Sequence, residues 1–149
     1  SRTMSKAFGL ANIRFGYLLA SKENIKFISN IRNPKNITTF AQEAVIAALS
    51  DVEYMRSYVQ EVIKARTFFI ESINTRCYEK FKAYESHANF VMIECRNKQI
   101  KEKISNYLED NNIFIRAISQ SESVRNCIRI TIGTIAQMKR VIKVFESFC

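Results

Sequence analysis

Residues that interrupt regular backbone structure are scarce in this sequence of 149 residues. It contains three glycines, Gly9, Gly16 and Gly133, and a single proline, Pro34. Between Pro34 and Gly133, no residue readily breaks a helix or supplies a left-handed turn. Element boundaries in that long stretch must therefore come from helix caps and from changes in the hydrophobic period.

Short elements are predicted before the proline. The continuously apolar run over residues 15–20 is typical of a buried strand. Ser21 is placed to cap a helix whose apolar residues include Ile25 and Ile28. A turn is predicted over residues 33–36, because Asn33 precedes a proline.

Helical periods continue after the turn. An alanine-rich helix is predicted over residues 39–49, and Ser50 and Glu53 have the spacing of a capping box that begins the next helix. Apolar residues then recur at steps of three and four: Val52, Met55, Val59, Val62, Ile63, Phe69, Ile70 and Ile73. This pattern predicts a long amphipathic helix of about six turns.

The hydrophobic period changes to two in the remainder of the chain. Strands are predicted over residues 89–94, 113–118 and 127–132, with a helix over residues 98–108. A second capping-box pattern, Thr134-x-x-Gln137, begins a last helix. This order of elements predicts an α+β unit with a mainly antiparallel sheet and helices on one face.

The net charge of +9 makes nucleic acid and anionic membranes alternative partners to consider. The basic residues are scattered, however, and lie opposite apolar helix stripes, as solvated faces do. The sequence has no aromatic–basic ribonucleoprotein motif, and no apolar run approaches the roughly 20 residues of a membrane span. We therefore predict neither a nucleic-acid nor a membrane partner.

The four cysteines, Cys77, Cys95, Cys127 and Cys149, are widely separated and include no Cys-x-x-Cys pair. Their spacing fits neither a zinc site nor a disulfide framework. We predict free, mostly buried thiols, no bound metal, and a reducing, cytoplasmic environment.

Residues whose side chains could react with or bind a ligand are concentrated at the start of the sequence. Lys6 lies among apolar and small residues, a setting that predicts a desolvated, nucleophilic amine. Thr3 and Ser5 supply hydroxyls, and Arg14 supplies a guanidinium that is always charged. Donors of these kinds are what a phosphate monoester needs.

The segment Ser5-Lys6-Ala7-Phe8-Gly9-Leu10-Ala11, followed by Arg14 and Gly16-Tyr17, closely resembles a known signature. It is the pyridoxal-phosphate lysine signature of class I/II aminotransferases, the fold-type-I group, and is most similar to that of histidinol-phosphate aminotransferases. Asn12 departs from the pattern, since a small residue, commonly glycine, is usual at that position. The departure bears on loop packing more than on chemistry.

The resemblance implies roles for four residues of this segment. Lys6 would form the Schiff base with pyridoxal 5'-phosphate, and Thr3, Ser5 and Arg14 would bind the cofactor phosphate.

Matches continue downstream in the family's order. They include Asn33-Pro34, Ala41-Gln42, Ala88-Asn89-Phe90 and the segment from Ile128 to Thr134. The last resembles the strand whose arginine binds the acidic group of the substrate, which implies that role for Arg129. Arg116 resembles a second anion-contacting arginine of the histidinol-phosphate branch. From strand alternation alone, a solvated position for Arg129 fits equally well.

The resemblance covers essentially the whole chain but only the C-terminal portion of the family's length. It implies an α/β fold class: the end of the large cofactor-binding domain over residues 1–50, a long interdomain helix over residues 51–76, and a small C-terminal domain over residues 77–149. The chain is then an incomplete fragment, and we expect it to be inactive alone, because the groups that make the cofactor an electron sink are absent.

The implied function is transfer of an amino group between an amino acid or amino-phosphate substrate, histidinol-phosphate-like, and a 2-oxo acid. The full-length protein would be a cytoplasmic homodimer. Three alternatives stay open: a pyridoxal-phosphate-dependent phospho-amino-acid decarboxylase, another amino-acid aminotransferase of the same fold, and a non-catalytic α+β module for binding or assembly.

Overall fold

A computed structural model describes residues 1–33, 37–118 and 121–149. Most of the turn predicted over residues 33–36 lies outside the described residues. The chain divides into two compact units, Ser1–Val59 and Gln60–Cys149. The predicted domain boundaries at residues 50 and 76 stay a prediction.

Two short strands hold together the beginning of the first unit. Strand β1 (Arg2–Thr3) pairs antiparallel with strand β2 (Gly16–Tyr17). The prediction of a longer buried strand over residues 15–20 is wrong, since the pairing ends at Tyr17 and Leu19 is 81% exposed. In the described part of this unit, β1 is the only strand beside β2, so there is no broader sheet to bury the apolar run.

Two helices follow in the first unit. Helix α1 (Lys22–Ile31) begins as predicted, with the hydroxyl of Ser21 accepting a hydrogen bond from the Asn24 amide at 3.3 Å. Helix α2 (Thr39–Ser50) is capped in the same way by Thr38. Several large apolar side chains of these helices are exposed: Phe27, Ile31, Phe40, Ile46 and Leu49.

The long helix α3 (Val52–Arg76) is present, but the predicted capping box at its start is wrong. Ser50 is the last residue of α2, and its hydroxyl donates to the Ile46 carbonyl at 2.9 Å. The carboxylate of Asp51 instead accepts a hydrogen bond from the Tyr54 amide at 3.1 Å. Both residue types suit a cap, but α2 includes Ser50 and α3 begins at Val52, so Asp51 is the residue directly before α3.

A four-stranded antiparallel sheet lies at the centre of the second unit. Its strands are β3 (Phe81–Ala83), β4 (Phe90–Cys95), β5 (Arg116–Ala117) and β6 (Cys127–Thr131), in the spatial order β3-β4-β6-β5. β3 has no counterpart among the predicted strands, because three residues are too few for a period-two signal. β5 is shorter than the strand predicted over residues 113–118.

Helices cover one face of this sheet, as predicted. Helix α4 (Lys98–Asp110), helix α5 (Ile135–Phe148) and the second half of α3 contribute to a single core with the sheet. Fully buried members of that core are Phe69, Ile73, Val91, Ile93, Ile104, Leu108, Ile128 and Phe145. The rings of Phe81 and Phe145 pack edge to face, with centroids 5.0 Å apart.

The alternation of residues along the strands decides which side chains the other face presents. In β4, the buried Val91 and Ile93 alternate with the half-buried Phe90 and Met92. In β6, Arg129 is half-buried between two buried isoleucines. None of the helices in the described residues is long and apolar enough to cross a membrane.

Candidate active site

Lys6 lies in a tight loop directly after β1. The Gly9 amide donates to the Lys6 carbonyl at 2.9 Å, and the Leu10 amide donates to the Met4 carbonyl at 3.0 Å. Met4 occupies the buried position of this loop and is 1% exposed, whereas Lys6 is exposed. The prediction of a desolvated Lys6 is therefore wrong for this chain, because neighbours such as Phe8 are only half-buried themselves.

The hydroxyls of Thr3 and Ser5, which precede Lys6 in the sequence, contact each other. Thr3 Oγ1 donates to Ser5 Oγ at 2.9 Å, and the Ser5 amide donates to Thr3 Oγ1 at 3.1 Å. The Met4 amide donates to the Phe15 carbonyl at 3.3 Å, which ties this turn to the residue before β2. The loop thus presents two adjacent hydroxyls on a hydrogen-bonded backbone.

Gly16 allows β1 and β2 to approach each other closely. A Cβ atom at position 16 would lie 2.9 Å from the carbonyl oxygen of Arg2, a backbone atom that cannot turn away. Any other residue would push the strands apart. The absence of a side chain at Gly16 therefore keeps the Thr3 segment beside the segment that carries Arg14.

Arg14 has an unusual backbone conformation. It follows the 3₁₀ helix Ala11–Ile13 in the left-handed region, with φ of 54°. That region costs a residue with a Cβ atom about 1–2 kcal/mol. Its Nη1 donates to the Ala11 carbonyl at 3.1 Å, and among the described residues its charge has no ion-pair partner. Arg14 also lines a cavity of about 320 Å³ with Asn12 and Thr38.

Arg129 lies in the middle of the second unit's sheet. It is directly opposite Met92 of β4 on one side and Arg116 of β5 on the other. Its guanidinium carbon is 4.9 Å from the centroid of the Phe90 ring. Its Nε atom is buried, and no hydrogen-bond acceptor for it exists among the residues that the structure describes. A buried hydrogen-bond donor without an acceptor costs free energy, so Arg129 is suited to bind a ligand that supplies an acceptor.

Arg116 and Arg129 form a pair of like charges. Like charges on directly opposite residues destabilise an antiparallel sheet. Neither guanidinium has an ion-pair partner in the described ranges 1–33, 37–118 and 121–149. Two arginines in this arrangement are suited to bind an anion that accepts several charge-assisted hydrogen bonds.

The six predicted site residues fall into two groups. Thr3, Ser5, Lys6 and Arg14 belong to the first unit, and Arg116 and Arg129 belong to the second. In the first unit a hydrogen bond joins Thr3 to Ser5, and in the second unit strand pairing places Arg116 opposite Arg129.

Sequence reasoning did not identify Phe90 as a neighbour of Arg129. Phe90 stands in the Ala88-Asn89-Phe90 match, but a motif alone does not say what its ring contacts. The signal is the register of β4 against β6, which places Phe90 opposite Thr131 and therefore diagonal to Arg129.

Comparison with known proteins decides the family. The family described as aminotransferase class I and II matches residues 1–145. This chain belongs to the class I and II aminotransferases. The match confirms the predicted family.

Two curated relatives of this chain are named as transaminases. The chain is 42% identical to the dihydroxyacetone phosphate transaminase of Campylobacter jejuni, over 99% of this chain and 39% of that protein. It is 34% identical to the histidinol-phosphate aminotransferase of Ruminiclostridium cellulolyticum, over 99% of this chain and 40% of that protein.

A solved structure supports the same assignment. The crystal structure of the histidinol-phosphate aminotransferase from Sinorhizobium meliloti, in complex with pyridoxal-5'-phosphate, matches with a TM-score of 0.81 and 28% identity. The match covers 99% of this chain and 41% of that one. The predicted α/β fold class is thereby confirmed, and the chain spans about two fifths of the length of these relatives.

Proposed function

We propose that this chain is part of a pyridoxal-phosphate-dependent aminotransferase whose amino-group donor or acceptor carries a phosphate group. The observation that carries the proposal is the pair of facing arginines, Arg116 and Arg129, with the buried Arg129 Nε that lacks an acceptor in the described residues. Both curated relatives reported above are named for phosphorylated substrates.

The first unit fits the cofactor. The hydroxyls of Thr3 and Ser5, 2.9 Å apart, and the guanidinium of Arg14 are donors suited to a phosphate monoester. The exposed amine of Lys6 is available to bind an aldehyde covalently. The strained conformation of Arg14 supports a role at a site, because strained residues concentrate where ligands bind. When bound, pyridoxal phosphate supplies an electron sink for chemistry at the substrate Cα.

Each residue then has a role in amino transfer. Lys6 would hold the cofactor covalently, and its Nζ, when free, would accept the proton from the substrate Cα as a general base and then release it as a general acid, so that the lysine gains no net proton. Arg129 orients the substrate through its anionic group, with Arg116 as a second contact. The same arginines serve both half-reactions, since the phosphate of one substrate and the carboxylate of the 2-oxo acid are both anions.

The proposal includes a homodimer and a cytoplasmic location for the full-length protein. Light scattering combined with gel filtration tests the dimer directly.

The decisive experiment uses the full-length protein encoded by the gene, loaded with pyridoxal phosphate. Three amino donors are each assayed with 2-oxoglutarate: histidinol phosphate, the amine related to dihydroxyacetone phosphate, and unphosphorylated histidinol. Chromatography measures the amino-acid product. We expect at least about 10²-fold higher kcat/KM for a phosphorylated donor than for histidinol, because each charge-assisted hydrogen bond contributes about 1.5–3 kcal/mol.

The Lys6→Ala variant tests the catalytic assignment. We expect it to abolish turnover, and borohydride reduction followed by peptide mapping should place the phosphopyridoxyl adduct of the wild-type protein on Lys6. Lys22→Ala, an exposed lysine of α1, is the matched control and should keep wild-type activity. Carbon dioxide release from phosphothreonine without amino transfer would show a decarboxylase. A protein that binds no cofactor would be a non-catalytic module.

A further inference from the structure

Arg129 rests on an aromatic ring. Its Cζ atom is 4.9 Å from the ring centroid of Phe90, within the roughly 6 Å at which a guanidinium is attracted to an aromatic face. Phe90 pairs with Thr131 and Arg129 pairs with Met92, so the ring reaches Arg129 diagonally across β4 and β6. Diagonal neighbours on one sheet face are within reach of aromatic side chains.

The segment that leads into Phe90 is held by hydrogen bonds from two sides. The Ser86 hydroxyl donates to the Phe90 carbonyl at 2.6 Å and accepts from the Ala88 amide at 3.1 Å. Nη1 of Arg66, on α3, donates to the Ala88 carbonyl at 2.8 Å. The start of β4 is therefore attached to a helix of the core, which holds the backbone that carries the Phe90 ring.

Arg129 needs such support. Arg116 lies directly opposite and repels its charge, while Met92, its neighbour on the other side, offers only an apolar side chain. An arginine side chain also loses considerable rotamer freedom when it is held in one orientation. A ring under the guanidinium offsets part of both costs and leaves the edge of the guanidinium available for hydrogen bonds.

We propose that Phe90 is a positioning residue, which holds the Arg129 guanidinium in place for the anionic group of the substrate. The inference rests on the proposed function, and it adds a residue whose ring acts on the substrate only through Arg129.

The test is made in the full-length protein with its cofactor. Phe90→Leu removes the aromatic face, and we expect KM for the phosphorylated donor to rise about 3- to 10-fold while kcat stays within about twofold, because the guanidinium loses its cation–π contact. Phe90→Trp keeps an aromatic face and should restore a KM near the wild-type value. Met92→Leu, on the same strand face but without an aromatic ring, is the matched control and should leave KM unchanged.

A double-mutant cycle separates positioning from a general structural effect. In an Arg129→Ala background, which itself raises KM, Phe90→Leu should cause no further change, because the residue it supports is gone. An equal rise of KM in both backgrounds would overturn the proposal. So would a wild-type KM for Phe90→Leu alongside a raised KM for Arg129→Ala, which would leave the proposed function intact.

Binding of inorganic phosphate provides a readout that does not need turnover. Calorimetric titration should show the affinity falling in both Arg129→Ala and Phe90→Leu, and recovering in Phe90→Trp. If the phosphate affinities of the wild-type protein and its variants follow this ranking but the wild-type protein transfers no amino group, the proposed function fails while the positioning role stands. If Phe90→Leu does not fold, Ser86→Ala, which releases the segment before β4, should weaken phosphate binding in its place, and unchanged binding would overturn the proposal.

Discussion

Burial determines which of the four cysteine thiols can react. Cys77, Cys95 and Cys127 are buried and Cys149 is exposed, and all four are free, as predicted. Desolvation raises the pKa of Cys95 from 9.0 to about 12, and it raises the pKa of Cys77 to about 12 together with a hydrogen bond to Cys149. Desolvation, followed by the nearby Glu94 carboxylate, also raises the pKa of the Cys127 thiol.

We therefore predict that iodoacetamide at pH 8 modifies Cys149 alone in the folded chain, since the thiolate is the reactive form and the buried thiols stay protonated. Peptide mass mapping after a short reaction measures this, and the same reaction in denaturant should label all four cysteines. Early labelling of Cys95 in the folded chain would contradict the prediction.

The raised pKa values also have a consequence for stability. The folded state favours the protonated thiols of Cys77 and Cys95. Their contribution to the free energy of unfolding is therefore fully present below pH 9.0, and it is lost as the pH rises toward the folded-state pKa of about 12.

At the scale of elements, helix α5 shows how a local cap starts a helix that closes the core. The Thr134 hydroxyl accepts from the Gln137 amide at 3.3 Å, and the Gln137 side chain accepts from the Thr134 amide at 2.9 Å. A Cβ at Gly133 would lie 2.1 Å from Gln137 Oε1, so the glycine leaves room for the reciprocal bond. The capping box is the one predicted from the sequence.

Replacing the cap should weaken the protein measurably. We expect Thr134→Ala to lower the free energy of unfolding by about 1 kcal/mol, because an amide at the start of α5 loses its acceptor. Thr134→Ser keeps the hydroxyl and is the matched control. Urea-induced unfolding followed by circular dichroism gives both values, and equal losses for the two variants would rule out the cap as the cause.

At the scale of the whole molecule, the two units differ in how much apolar surface they bury. The first unit buries Met4, Ala41 and Val45, whereas the main core cluster lies entirely in the second. Large apolar side chains of the first unit are exposed: Leu18, Leu19, Phe27, Ile31, Phe40, Ile46 and Leu49.

We predict unequal stability of the two units in the 149-residue chain, since apolar burial is the main favourable term in folding. Amides of α1 and α2 should exchange with deuterium at least about 10²-fold faster than those of β4 and β6, a difference of roughly 3 kcal/mol in opening free energy. Exchange measured by mass spectrometry tests this, and equal protection would contradict it. Phe27→Ser should leave the second unit's protection unchanged, whereas Phe69→Ser should remove it.

Features that depend on neighbours in the sequence were predicted well. Ser21 caps α1 and Thr134 caps α5, because a cap needs only a side chain and an amide three residues away. The Lys6 motif could be identified for the same reason, since Thr3, Ser5 and Arg14 lie within a few residues of it. The cap of α3 was predicted at Ser50 but lies one residue later, at Asp51, because both adjacent side chains can accept a hydrogen bond from a backbone amide.

The sequence by itself determined the order of the helices and of strands β4, β5 and β6, the alternation that sets Arg129 apart from its buried neighbours, and the membership of the family. Only the tertiary structure decided that Lys6 is exposed, that the apolar run over residues 15–20 is not buried, and that Phe90 lies under Arg129. Helix caps and hydrophobic periods arise from contacts three or four residues apart, or along a single strand. Burial and cross-strand neighbours depend instead on which distant segments pack together and in which register.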